Sequence, residues 1–165
     1  MSDVTIVATG LGFPEGPVAC ADGSIVLTEI RNNRCSRVTR DGQVSLFSAT
    51  GGGPNGLAIG PDGAFYLCNN GGSRYVEGTS MGQSPHPDYK FGYIQRINAK
   101  TGECKTLYTE CNGHKLSAPN DIVFDVHGGS TSPIWASAMP ATAITVACTT
   151  RCPTDPRSWS WPSPS

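Results

Sequence analysis

Charge is scarce in this chain. Asp, Glu, Lys and Arg make up 15% of its 165 residues, against about 25% in ordinary soluble domains. With a formal net charge of -1 there is no clustered basic excess, which excludes a binder of nucleic-acid phosphates. The sequence also lacks an uncharged apolar run long enough to cross a bilayer. Met1 to Gly10 has no basic start, apolar centre and small-residue cleavage site of a secretory leader, and this points to the cytoplasm. Paired metal-binding thiols are missing too. The cysteines Cys20, Cys35, Cys68, Cys104, Cys111, Cys148 and Cys152 are odd in number and match no zinc-knuckle spacing, so they read as reduced thiols used in packing. What is abundant is punctuation: Gly (20) and Pro (13) form a fifth of the chain, which disfavours a helical bundle or coiled coil.

Three stretches share one grammar. Residues 13–30 read FPEGPVACADGSIVLTEI, residues 53–70 read GPNGLAIGPDGAFYLCNN, and residues 118–129 read APNDIVFDVHGG. In each, a Pro precedes an acid or amide, a short apolar run follows, and a turn falls seven positions after that acid or amide: Asp22-Gly23, Asp62-Gly63 and His127-Gly128. Asp-Gly between apolar runs is a hairpin signal, because both residues tolerate the positive φ of a tight turn. The first two copies continue into Ser24–Thr28 and Ala64–Cys68. Further strands are expected at Arg34–Thr39 and Val44–Phe47, then at Tyr93–Ile97 and Cys104–Tyr108. Each unit is therefore four short antiparallel strands, and the step of 40 residues from Glu15 to Asn55 is that of one propeller blade. The longer step to Asn120 carries a Gly/Ser/Pro-rich insertion, Gly71 to Tyr89, which reads as a long loop.

The grammar stops near Ser130. From there to Ser165 the chain contains no Gly, Leu, Asn, Lys or Glu, yet holds all three Trp and six of the 13 Pro. The expected organisation is a partial propeller domain over 1–129 and an aberrant, irregular tail over 130–165, disordered by composition. Reading a back-translated tail in a shifted frame restores an apolar strand, charged residues and an Asp-Gly turn. A frameshift near residue 129 is the expectation this raises.

The segments FPEGP, GGPNGLAIGPDG and SAPNDIVFD resemble the family that contains gluconolactonase, senescence marker protein and luciferin-regenerating enzyme, over roughly Gly10 to Gly129. The resemblance implies an all-β fold, a six-bladed β-propeller of which this chain would supply roughly two and a half blades. It also implies a divalent metal in the central channel and hydrolysis of sugar lactones. By that pattern Glu15 and Asn120 match metal ligands, and Asn55 matches an amide that contacts substrate or a metal-bound water. A third protein ligand of the family, an Asp in a later blade, has no counterpart here, so the chain reads as an inactive fragment.

The residue types suit that chemistry. A propeller gathers the starts of its inner strands around one axis, so equivalent positions in successive blades converge. One carboxylate and amide carbonyls are hard oxygen ligands, which favour calcium, with zinc, magnesium or manganese as alternatives. A bound metal would polarise a lactone carbonyl and acidify a water, and a carboxylate would serve as base. Asn55 and Asn120 also have a plain reading, since Pro-Asn before Gly or Asp is a common turn unit. Glu15 is harder to dismiss, because an acid leading into a buried strand is costly unless paired or metal-bound. The expected partner is a small-molecule sugar lactone, with no nucleic acid or membrane. A non-catalytic propeller that binds a metal ion or small molecule is the alternative.

Other candidates are weaker. Gly51-Gly52-Gly53 has no following Lys-Ser/Thr and reads as a flexible loop rather than a phosphate cradle. Arg74, Glu77 and Tyr89 lie in the insertion and read as solvated loop residues, with contact to a sugar as the alternative. His86, His114 and His127 are not at metal spacing and read as turn or surface residues. Cys68 reads as core, while Asn69 and Asn70 read as turn caps.

Overall fold

Short apolar runs separated by Asp-Gly turns form antiparallel meanders, and two complete ones follow each other along the chain. The computed structural model describes residues 4–76, 78, 84–111, 113–125, 130–134, 146–150 and 159–160. The first sheet comprises β1 (Pro14–Ala19), β2 (Ile25–Glu29), β3 (Arg34–Val38) and β4 (Val44–Ala49), in sequential order. β5 (Pro54–Ile59) and β6 (Phe65–Asn69) open the second. The insertion then carries a two-stranded ribbon, β7 (Ser73–Arg74) and β8 (Ser84–Pro85), in place of a plain loop. Beyond it, β9 (Tyr93–Ile97) and β10 (Cys104–Tyr108) complete the second sheet in the order β10-β9-β6-β5. A second ribbon pairs β11 (Glu110–Cys111) with β12 (His114–Lys115).

The third copy begins a sheet with β13 (Val123–Phe124). Its partners come from the stretch expected to be an irregular tail: β14 (Ser130–Ile134), β15 (Val146–Thr150) and β16 (Trp159–Ser160), in the order β13-β14-β15-β16. Ser130 pairs with Phe124 and Thr131 with Val123, so the short strand of the third copy gains the partner that every strand requires. The rest of 130–165 lies outside the described residues, as do Glu77, His127 and Gly128.

The turns explain the repeat. Asp22 Oδ1 accepts from Ser24 N at 2.9 Å and Ser24 Oγ at 2.6 Å, and Asp62 Oδ1 accepts from Ala64 N at 3.1 Å. Each turn acid also accepts from an arginine of the third strand of its sheet: Arg37 Nη1 to Asp22 Oδ2 at 3.1 Å, and Arg96 Nη2 to Asp62 Oδ2 at 2.7 Å. The Ser24 hydrogen bonds hold Asp22 below the ordinary carboxylate range. Partial burial works to raise Asp62, and the hydrogen bonds from Arg96, Ala64 and Tyr66 together with the Arg96 charge outweigh it, leaving that carboxyl lowered as well.

The core lies between sheets. Side chains alternate across a strand, so a sheet packed on both faces is apolar throughout, and every residue of β6 is buried. Phe65 and Leu67 join Val26 and Cys35 of the first sheet in one cluster, with Leu57 and Ile97. Tyr66 and Cys68 face the other way, toward Leu116, Ile122 and the half-buried Phe124 of the third copy. Edge-to-face ring pairs tie both seams: Phe47 with Phe65 at 5.3 Å, and Tyr66 with Phe124 at 5.0 Å. Successive four-stranded sheets stacked face to face through such seams are propeller blades.

Candidate functional site

A proline starts each inner segment, and its missing N–H suits the first position of a strand. Pro54 and Pro119 are fully buried. Glu15 and Asn120 are exposed and Asn55 is half-buried. The residue after each decides how closely the segments stack. Gly16 has φ 48°, and a Cβ there would sit 2.6 Å from Leu57 N and 2.8 Å from the Asn55 carbonyl oxygen. At Gly56 a Cβ would lie 2.4 Å from Asp121 Cα. Only glycine permits either approach, because the neighbour is backbone and cannot move aside.

Hydrogen bonds exploit that closeness. Gly56 N donates to the Asn120 carbonyl at 2.7 Å, and Thr28 Oγ1 donates to the Asn55 carbonyl at 2.6 Å. Above this backbone stack Asn55 Nδ2 donates to Asn120 Oδ1 at 2.7 Å, across 65 residues of sequence. Two of the three residues singled out from the repeat are thus in direct contact. Glu15 is joined to them through the backbone: it pairs with Thr28, whose hydroxyl holds the Asn55 carbonyl. Among the described residues its carboxylate has no hydrogen bond to either amide.

The donor set fits a hard divalent cation in kind. Asn120 Oδ1 keeps a second lone pair, and Glu15 offers carboxylate oxygens on the neighbouring segment. In number it is partial, since three side chains fall short of the six to eight oxygens calcium takes, roughly. Among the described residues no group of three or more His, Cys, Asp or Glu forms a metal cluster.

The weaker candidates fall where loops and core place them. Cys68 is fully buried and Sγ-bonded to the Asp121 carbonyl. Asn70 Oδ1 accepts from Gly72 N at 2.9 Å, capping the turn after β6. Arg74, His86 and His114 are exposed, and Tyr89 is half-buried. The described cysteines Cys20, Cys35, Cys68, Cys104 and Cys111 form no disulfide, and burial pushes the Cys35 thiol up to about 12.

Of two residues that organise the site, Glu29 was missed by motif, while Asn69, read as a turn cap, does accept from Gly71 N at 3.0 Å. Glu29, with no solvent exposure, accepts from Gly12 N, Asn32 Nδ2, Arg34 Nε and Ser36 Oγ. Burial works to raise its pKa, and these four hydrogen bonds outweigh it, so the carboxyl lies below its ordinary value. Asn69 stands at the same offset in the second repeat: its Oδ1 accepts from Gly53 N at 2.8 Å, and its Nδ2 donates to Gln95 Oε1 at 3.1 Å. Both residues anchor the loop that leads into an inner strand. The signal was present in the sequence as a polar residue seven positions after each turn acid, at the end of an apolar run.

Stacked four-stranded antiparallel meanders, with the starts of their inner strands gathered at one place, define a partial β-propeller. The chain belongs to the family described as the SMP-30/Gluconolactonase/LRE-like region, whose model matches residues 13–147. Similar solved structures include one provisionally designated a gluconolactonase, at 20% identity and TM-score 0.64, covering 94% of this chain and 50% of that one. A gluconolactonase from Xanthomonas campestris is 19% identical with TM-score 0.63, covering 92% of this chain and 47% of its own. Virginiamycin B lyase from Staphylococcus aureus, at 16% identity and TM-score 0.52, covers 88% and 43%. This chain therefore spans about half the length of these relatives. No curated protein matches it significantly.

Proposed function

We propose that the chain is a fragment of a metal-dependent hydrolase of sugar lactones, of gluconolactonase type, and that this fragment is inactive. The observation that carries the reading is the Asn55 to Asn120 hydrogen bond, which joins equivalent positions of two repeats at 2.7 Å. Glu15 and Asn120 would hold the metal through oxygen, calcium first, with zinc, magnesium or manganese as alternatives. When bound, the metal supplies polarisation of the lactone carbonyl and a water acidified toward neutral pH. Asn55, whose amide donates within the site, orients the substrate carbonyl or the attacking water. Gly16 and Gly56 keep these groups in register by letting the backbones touch. A carboxylate base is the remaining requirement, and the family resemblance assigns it to an Asp of a later blade, absent here.

The five described thiols form no disulfide, which agrees with a reducing compartment such as the cytoplasm. No helix among the described residues is long and apolar enough to cross a membrane.

Titration of the chain with Ca²⁺ or Mn²⁺ by calorimetry tests the site. Glu15→Ala and Asn120→Ala should each weaken binding at least about tenfold, or about 1.4 kcal/mol. Unchanged affinity in both variants would remove the metal assignment. Glucono-1,5-lactone hydrolysis should appear only in a version with the downstream frame restored; activity in the chain as it stands would overturn the inactive reading. Metal binding without hydrolysis in the restored version would favour the non-catalytic alternative.

A further inference from the structure

The stack of sheets has two ends, and exposed apolar side chains stand at both. In the first sheet Thr28 reaches the second through the Asn55 carbonyl, so its neighbour Glu29 points to the opposite face, where it accepts from Ser36 Oγ and Gly12 N. Cross-strand partners share a face, and Ser36 lies opposite Leu46 and Val38 opposite Val44. Leu46 and Val44 therefore look away from the second sheet, and both are exposed. Val4 and Ile6, exposed as well, precede Val7, whose carbonyl oxygen would lie 2.5 Å from a Cβ at Gly42 in the β3–β4 turn. At the other end Phe124 packs on Tyr66 of the second sheet, so Val123 beside it points away, and it too is exposed.

The seams inside the stack show what covers such faces, namely another four-stranded sheet. The two ends are different surfaces, so a first-sheet end meeting a third-sheet end is a head-to-tail contact. Contacts of that kind close into a ring or run on as a filament, depending on the rotation between successive copies. The chain, with its three four-stranded sheets, matches about half the length of similar solved structures. One copy thus supplies half a circuit, and two copies complete it.

The donor set supplies a second reason. Glu15, Asn55 and Asn120 offer only about half of the roughly six to eight oxygens that calcium takes. In a closed ring the same residues of the second copy face the same channel and double the set. The two Glu15 carboxylates then match the charge of one divalent cation.

We propose that two copies of this chain join head to tail, first sheet against third sheet, into a closed twofold ring, and that their shared channel takes one divalent cation. The ring rests on the sheets and their ends, whereas the cation rests on the metal reading of Glu15 and Asn120.

Sedimentation equilibrium of the 165-residue chain, with and without Ca²⁺, tests the two parts separately. A dimer should be the largest species at every concentration. Ca²⁺ should tighten it at least about tenfold, because a cation that binds the ring better than the separate halves shifts the equilibrium toward the ring. Leu46→Glu and Val123→Glu should each weaken the dimer at least about tenfold with an unchanged circular dichroism spectrum, since both side chains are exposed. Mixing the two variants should restore part of the affinity, because one of the two contacts in the mixed ring is then unaltered. Ile59→Glu, exposed on β5 and away from both ends, should leave the dimer unchanged. A monomer at all concentrations, polymers that grow without limit, or a dimer that Val123→Glu leaves intact overturns the proposal. A dimer whose affinity does not respond to Ca²⁺ would sink the metal reading and leave the ring standing.

Discussion

At position 29 a carboxylate with no solvent exposure accepts hydrogen bonds from a backbone amide, an asparagine, an arginine and a serine. Removing it would leave the buried Ser36 hydroxyl without its acceptor and the part-exposed Arg34 without its counter-charge. Glu29→Ala should therefore cost about 1–3 kcal/mol, read from urea denaturation at neutral pH. Because its folded pKa is lowered, Glu29 contributes stability that is fully present above the unfolded value near 4.5 and is lost as pH falls through the folded value. Glu29→Gln should flatten that part of the acid limb; an unchanged pH dependence would show that other carboxylates carry it. Asn69 fills the same place in the second repeat with an uncharged amide, so no equivalent acid loss is expected from that position.

Among elements, the contact between inner strands and the contact between blade faces do different work. Gly56→Ala would push a methyl into Asp121 Cα and the Asn120 carbonyl, separating β5 from the third copy. Overpacking of this kind costs about 1–3 kcal/mol, and the displaced Asn120 should also lower divalent-metal affinity. Leu67→Ala, at the fully buried centre of β6, should cost about 2–5 kcal/mol by leaving a cavity. It should leave metal affinity in the folded protein unchanged. Parallel calorimetry and denaturation of the two variants check the distinction, and equal effects on metal binding would contradict it. The strands themselves were legible from Asp-Gly turns and apolar runs, with β2 and β6 each reaching one residue further than expected, to Glu29 and Asn69. That extra residue is polar, and a polar residue ends a strand in any pattern count unless its buried partners are known.

Across the whole molecule, apolar side chains remain uncovered on the outer sides of the stack. Val4 is 93% exposed, Ile6 77%, and Leu46 and Val123 61% each. In a closed ring every blade face meets another blade, whereas here Val44 and Leu46 of β4, at the edge of the first sheet, are exposed. Exposed apolar surface together with open strand edges drives association. Sedimentation velocity at rising protein concentration should show self-association, and a version extended to the family's full length should sediment as a smaller number of discrete species. A monodisperse monomer of the present chain at high concentration would contradict this.

The repeat of Pro, acid or amide, apolar run and turn was enough to determine the class of fold, the family resemblance and the choice of Glu15, Asn55 and Asn120 as equivalent positions, because local turn chemistry and strand periodicity are written residue by residue. The contact of Asn55 with Asn120 and the buried place of Glu29 were decided only in three dimensions. Each depends on how one blade seats against the next, and that seating is set by glycine gaps and interlocking faces between residues tens of positions apart.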